Sequence, residues 1–83
     1  MQILYFAWVR EQIGMDGEDV TPPAGIDSVA QLIDWLTGRS AGHAAALADP
    51  ARLRIAVDQR FATPHDLIAD AREIAIFPPV TGG

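Results

Sequence analysis

Hydrophobic and polar positions divide this chain into short runs with two different periods. Met1 to Trp8 is almost continuously apolar and rich in strand-favouring residues. On an extended backbone Ile3, Tyr5 and Ala7 face one way and Leu4, Phe6 and Trp8 the other, which predicts a strand buried on both sides. Val9 to Gly14 reads as a helical turn stopped by its glycine. Glu18-Asp19-Val20-Thr21 predicts a short, polar second strand. Pro22-Pro23-Ala24-Gly25 ends it, because proline cannot donate to a ladder.

The period then changes. Ser28 stands in capping position with Gln31 three residues on, and Val29, Leu32, Ile33 and Leu36 follow with i, i+3, i+4, i+7 spacing. This predicts a helix with one apolar stripe, stopped at Gly38, with Trp35 at the stripe's edge. The Ala-rich stretch from Ala41 to Ala48 predicts a second, weaker helix ending before Pro50. Leu53, Ile55 and Val57 alternate with Arg54, Ala56 and Asp58, a half-buried strand. A turn at Asp58-Gln59 or Gln59-Arg60 leads to a short return strand at Phe61. Thr63 to Asp66 turns again, Leu67 and Ile68 drop back into the core, and Asp70 to Arg72 turns before a last strand from Glu73 to Phe77.

The resulting order is ββαβββ with a helical insert. If the apolar first and last strands lie side by side at the centre, they run parallel with the main helix across one face. That is the α+β, β-grasp (ubiquitin-like) architecture, with a mixed sheet of about four to five strands. Residues 1–77 form this domain, and residues 78–83 are expected to be a flexible functional C-terminal tail.

Composition narrows the function. The chain has 83 residues, 11 acidic against 6 basic, and a formal charge of −5. Every basic residue is arginine, and there is neither lysine nor cysteine. Disulfides, thiolate metal sites, cysteine nucleophiles and Schiff-base lysines are therefore excluded. Nucleic acid is not expected as a partner, because its affinity rests on clustered positive charge. The acidic balance suits a basic partner surface. Hydrophobic residues are 49% of the chain. A domain of this size hides only about 60% of its unfolded surface, so some apolar residues stay outside. No membrane span or signal peptide is expected, which makes a cytoplasmic location the default.

Side-chain chemistry is sparse. His43 in the Ala-rich segment and His65 in a turn lack metal-ligand spacing, so surface or capping roles are expected and no metal is predicted. Ser28 and Ser40 have no triad partners, Glu18-Asp19 and Asp66/Asp70 read as solvated turns, and no phosphate-loop motif is present. The chain is not expected to be a catalyst by side-chain chemistry.

The C-terminus stands apart. The last strand runs into Pro78-Pro79, then Val80-Thr81, then Gly82-Gly83. Consecutive prolines favour extended polyproline geometry that projects a tail away from the body. Six residues at about 3.3 Å each reach close to 20 Å. Two glycines without a Cβ enter a channel too narrow for other residues, delivering the Gly83 carboxylate into another protein's site.

The whole chain resembles the small, sulfur-carrier subunit of molybdopterin synthase. The resemblance is carried by Leu4-Tyr5-Phe6-Ala7 with Val9-Arg10-Glu11, by Val29 to Leu36, by Ile55-Ala56-Val57, and above all by Phe77-Pro78-Pro79-Val80-Thr81-Gly82-Gly83. Two departures are visible. The family usually has Asn where Asp58 stands, and Gly-Asp-Glu where this chain has Ala71-Arg72-Glu73. If the turn required φ > 0, an alanine there would cost on the order of 1 kcal/mol, so a different turn type is expected.

The resemblance implies a mechanism. An E1-like enzyme, using ATP and magnesium that this chain does not itself bind, adenylates Gly83. A persulfide donor then supplies sulfur, leaving a C-terminal thiocarboxylate. The tail, Pro78 to Gly82, inserts into the large catalytic subunit, in a complex expected to be a heterotetramer. There the thiocarboxylate gives sulfur to a pyranopterin precursor. Arg10 and Glu11 are candidates for pairing across the rim. Phe6, Phe61 and Phe77 are candidates for one aromatic patch, on the sheet face away from the helix, that docks the partners. The alternatives are a carrier for another sulfur pathway, thiamine or cysteine synthesis, and a ubiquitin-like protein modifier.

Overall fold

A computed structural model describes residues 1–79. Five strands form one mixed sheet: β1 (Gln2–Tyr5), β2 (Gly17–Asp19), β3 (Arg54–Val57), β4 (Arg60–Ala62) and β5 (Glu73–Phe77), in the order β2-β1-β5-β3-β4. As the hydrophobic pattern requires, β1 and β5 are central neighbours and parallel, with Ile3 opposite Ile74 and Tyr5 opposite Ile76. Every other pairing is antiparallel. Helices α1 (Ala7–Ile13), α2 (Val29–Thr37) and α3 (Ala41–Ala46) occur along the chain, with a 3₁₀ turn at Pro50–Arg52.

The core lies between sheet and helices. Ile3, Tyr5, Ile55, Ile74 and Ile76 meet Val9, Val29, Leu32, Leu36 and Leu47, all buried. The predicted stripe on α2 is the buried one: Val29, Leu32, Ile33 and Leu36. Its capping box is complete, since the Gln31 amide donates to Ser28 Oγ at 3.3 Å and the Ser28 amide donates to Gln31 Oε1 at 3.1 Å. Gly38 remains right-handed, at φ −83°; its amide bonds the Trp35 carbonyl at 3.2 Å and the Arg39 amide bonds that of Leu36 at 3.0 Å, tightening the last turn. Gly14, by contrast, ends α1 in the left-handed region at φ 92°.

Several expectations change. The first strand stops at Tyr5 because the chain turns at Ala7, at φ 55°, into a helix rather than continuing to Trp8. Val9 and Ile13, four apart, then become that helix's buried face, and Trp8 packs against the Arg52 guanidinium at 4.8 Å. β2 begins one residue earlier than expected and ends at Asp19, although the Val20 amide still bonds the Met1 carbonyl at 2.9 Å. α3 ends at Ala46, short of Ala48. Leu67 is exposed while Ile68 is buried. The isolated bridge between Ser28 and Leu67 holds this stretch extended, and adjacent extended residues point opposite ways.

Of the two hairpin registers, Asp58-Gln59 is the loop. Val57 pairs Arg60, and both loop residues have positive φ, 48° and 70°, the twist a tight hairpin needs. Asp58 also holds the start of β5: its Oδ1 accepts from the Arg72 and Glu73 amides at 2.9 and 3.0 Å. Ala71 is not among the positive-φ residues, so the turn is indeed of another type and the alanine carries no penalty.

Candidate functional site

Among the described residues the sheet face opposite the helices has no covering layer. Register places Gly17, Leu4, Ala75, Ala56 and Phe61 in one row across all five strands. These positions alternate with the buried Ile3, Tyr5, Ile55, Ile74 and Ile76, so they point away from the core. Small residues keep the middle of the row low, and aromatic rings rise at its side. The Phe61 and Phe77 rings pair with centroids 6.1 Å apart at 50°. Phe61 is 83% exposed and Phe6 45% exposed, a large apolar area facing water on so small a protein.

Phe6 stands beyond β1 as the residue before α1. Its amide donates to the Ile76 carbonyl at 3.2 Å, which sets it beside the end of β5. Together with Gln2, Leu4, Arg10, Asp16 and Gly17 it lines a shallow hollow of about 350 Å³. The predicted trio is thus a Phe61–Phe77 pair on one side of β5 and Phe6 on the other. Arg10 and Glu11 are both exposed, and the ion pairs among the described residues do not include one between them.

The tail root sits at this face. Phe77 is opposite Arg54 on β3, and Arg54 donates to the Leu53 carbonyl at 2.9 Å, which turns part of its guanidinium back onto the backbone. Pro78 and Pro79 follow, half-buried and outside any regular element. Val80, Thr81, Gly82 and Gly83 lie outside the described residues. Among the described residues no group of three or more His, Asp or Glu could hold a metal ion.

On the helix side the structure holds a polar cluster that sequence reasoning placed wrongly. Glu18 is no solvated turn residue and His43 is no surface residue. The His43 ring is buried between Ser40 and the Glu18 carboxylate, edge-on to Tyr5 at 5.8 Å. Two signals were present. Tyr5 in an apolar strand needs a partner for its hydroxyl, and Ser40 caps a helix with His43 three residues on. The missing information was the contact between residues 25 apart in sequence.

Comparison with known proteins agrees with the family resemblance and the fold. The model of the ThiS family matches residues 3–83. The chain is 37% identical over 83 residues to the molybdopterin synthase sulfur carrier subunit of Escherichia coli, covering 100% of this chain and 99% of that protein. It is 35% identical over 89 residues to the subunit of the same name from Haemophilus influenzae, again covering 100% and 99%. Among solved structures, one described as a molybdopterin converting factor, subunit 1, from Pyrococcus furiosus superposes with TM-score 0.76 at 28% identity, covering 95% of each chain. SAMP1 from Haloferax volcanii superposes with TM-score 0.74 at 26% identity, covering 100% of this chain and 98% of that one.

Proposed function

The chain belongs to the ThiS family, and from that premise we propose that it is the sulfur carrier of molybdopterin synthesis, with the Gly83 carboxylate as the atom group that carries sulfur. The observation that bears most on this reading is the join between β5 and the tail. The sheet's central strand leads directly into Pro78-Pro79, with Gly82-Gly83 following in sequence, beside an apolar face that none of the described residues covers.

The chemistry follows from the groups available. A carboxylate is a poor electrophile because its charge is delocalised. Attack of a Gly83 oxygen on the α-phosphorus of ATP expels pyrophosphate and leaves an acyl-adenylate, with AMP as a good leaving group. A persulfide sulfur displaces AMP, and a thiol cleaves the resulting acyl disulfide to release the thiocarboxylate. ATP, magnesium and the persulfide belong to an E1-like activating enzyme and its donor; this chain binds none of them. The chain carries neither cysteine nor lysine, so it has no thiol or lysine amine of its own to compete for the activated acyl group.

Docking uses the uncovered sheet face. Phe61, Phe77 and Phe6, with Leu4 on the same face beside Phe6, form the apolar contact for the large catalytic subunit and, in turn, for the activating enzyme. The tail, Pro78 to Gly82, then lies in a channel of the partner and brings the Gly83 thiocarboxylate to the pyranopterin precursor. Two carriers on a dimer of large subunits make the heterotetramer, in the cytoplasm. For the chain itself, no helix among the described residues is long and apolar enough to cross a membrane.

Intact-mass measurement after incubation with ATP, activating enzyme and persulfide donor tests the reading. The expected result is a gain equal to the difference between sulfur and oxygen, abolished by deleting Gly83 while the melting temperature is unchanged. No gain, with covalent conjugates to other proteins instead, would refute it in favour of a modifier.

A further inference from the structure

We propose that Tyr5, Glu18, Arg39, Ser40 and His43 form an acid-sensitive clamp that holds α3 on the antiparallel β1–β2 pair, and that α3 comes away as a unit when Glu18 takes up a proton. The inference is independent of the tail chemistry. Several groups from separate elements converge on one carboxylate. Oε2 of Glu18 accepts from the Tyr5 hydroxyl at 2.7 Å and faces His43 Nε2 at 2.6 Å. Oε1 accepts from Arg39 Nε at 3.1 Å and pairs with Arg39 Nη2 at 3.0 Å. An ionised carboxylate only accepts, and here its lone-pair sites are filled.

The far side of the histidine is also fixed. Nδ1 lies 2.7 Å from Ser40 Oγ, which also accepts from the His43 amide at 3.1 Å as the N-cap of α3. A hydroxyl rotates to give or take a hydrogen bond, so Ser40 suits either charge state of the ring. Glu18 has no such freedom. A proton on Oε1 points at the Arg39 donors, and a proton on Oε2 weakens the acceptor of the buried Tyr5 hydroxyl.

Around Glu18, the Arg39 charge and the Tyr5 donor favour its ionised form. Tyr5 comes from β1, Arg39 and Ser40 from the α2–α3 connection, and His43 from α3. Asp19, next on β2, turns instead to the terminal ammonium of Met1 at 3.1 Å and is well exposed. From α1, which packs on α3, Arg10 and Glu11 point to water, as does Asp34 on α2. Burial alone would raise the Glu18 carboxyl; hydrogen bonds from Tyr5 and His43 and the charge of Arg39 outweigh it and hold the group below its ordinary value. Tyr5 is pushed far up, first by burial and then by its bond to Glu18, so it remains a donor throughout.

α3 packs on α1 through Gly42 and on α2, and this cluster is what ties it to the β1–β2 strand pair. Six residues are too few to persist as an isolated helix. Its buried positions are His43 and the small Ala46, followed by Leu47. Ala44, Leu47 and Ala48 also wall an apolar groove of about 840 Å³ with Ile33, Leu53 and Ile55, so release of α3 uncovers the helix side of the core.

Amide hydrogen exchange by NMR, expressed as protection factors, tests the clamp on the whole chain. The reporters are the Ala44 and Leu47 amides, which bond the Ser40 and His43 carbonyls. In wild type, moving from neutral pH down through the ordinary carboxylate range to about pH 3 lowers their protection several-fold, while amides of β5 keep theirs. Glu18→Gln shows that loss already at neutral pH and no further dependence. Asp19→Asn, on the same strand but outside the cluster, behaves as wild type. Tyr5→Phe keeps the ring and removes one donor, giving a smaller loss at the same two amides, and it decides the matter if Glu18→Gln does not fold. Equal α3 protection in wild type and Tyr5→Phe, or acid loss spread evenly over α3 and β5, overturns the proposal.

Discussion

Gly42 separates two physical effects that usually act together. It is the second residue of α3, in the first turn after the Ser40 cap, where alanine gains at most about 1 kcal/mol of helix propensity over glycine. A Cβ at Gly42 would stand 2.5 Å from the Gln12 carbonyl oxygen, 3.2 Å from Ile13 Cα and 3.3 Å from the Ile13 oxygen. All three are backbone atoms of α1 or its immediate end, which cannot swing aside as a side chain can. Overpacking of this kind costs about 1–3 kcal/mol, and so close an approach to backbone belongs at the upper end. Gly42→Ala should therefore lose about 1–2 kcal/mol net, a fall in Tm of about 5–15 °C for a domain of this size.

Gly38→Ala is the matched control. Its φ is −83°, and the nearest atom to an added Cβ is the Trp35 oxygen at 3.6 Å, ordinary contact. There the substitution should stabilise by about 0.4–1 kcal/mol through the unfolded chain. Urea unfolding of both variants, with the m-value checked against wild type, provides the assay. A Gly42→Ala protein as stable as the Gly38→Ala one would show that α1 and α3 are not in close contact, and would refute the reasoning.

Phe61→Ala should leave stability within about 1 kcal/mol, since the ring is exposed and loses only its pairing with Phe77. It should weaken binding to the large subunit of molybdopterin synthase by about 30-fold or more in calorimetry, and unchanged affinity would remove this face from the docking site. Ser28→Ala breaks the capping box of α2 and should cost about 1 kcal/mol in denaturant unfolding, with Ser28→Asp recovering most of it. For pH, the folded Glu18 carboxyl lies below its ordinary value of 4.5. Its contribution is thus present above that value and lost as pH falls through the lower folded one. Glu18→Gln should flatten the acid limb of the stability–pH profile, and an unchanged limb would assign the acid dependence elsewhere.

The sequence by itself determined the elements whose signals are local. The spacing of Val29, Leu32, Ile33 and Leu36 with the Ser28–Gln31 cap defined α2, and continuous apolar runs at both ends of the chain placed β1 and β5 together at the sheet centre. The Pro-Pro and Gly-Gly ending pointed to the C-terminus as the place of function because no side-chain chemistry competed with it. Where β1 ended was different: Trp8 suits a strand as well as a helix, and only packing of Val9 and Ile13 on the core chose the helix. Leu67 and Ile68 looked alike until the bridge to Ser28 fixed which one faced inward. The placement of Glu18 and His43 was decided by tertiary structure alone. A carboxylate and an imidazole far apart in sequence read as solvated, because exposure is the low-energy default for each taken singly. Burial becomes favourable only when strand, turn and helix bring Tyr5, Arg39 and Ser40 around them, and that convergence is a property of the fold rather than of any local run of residues.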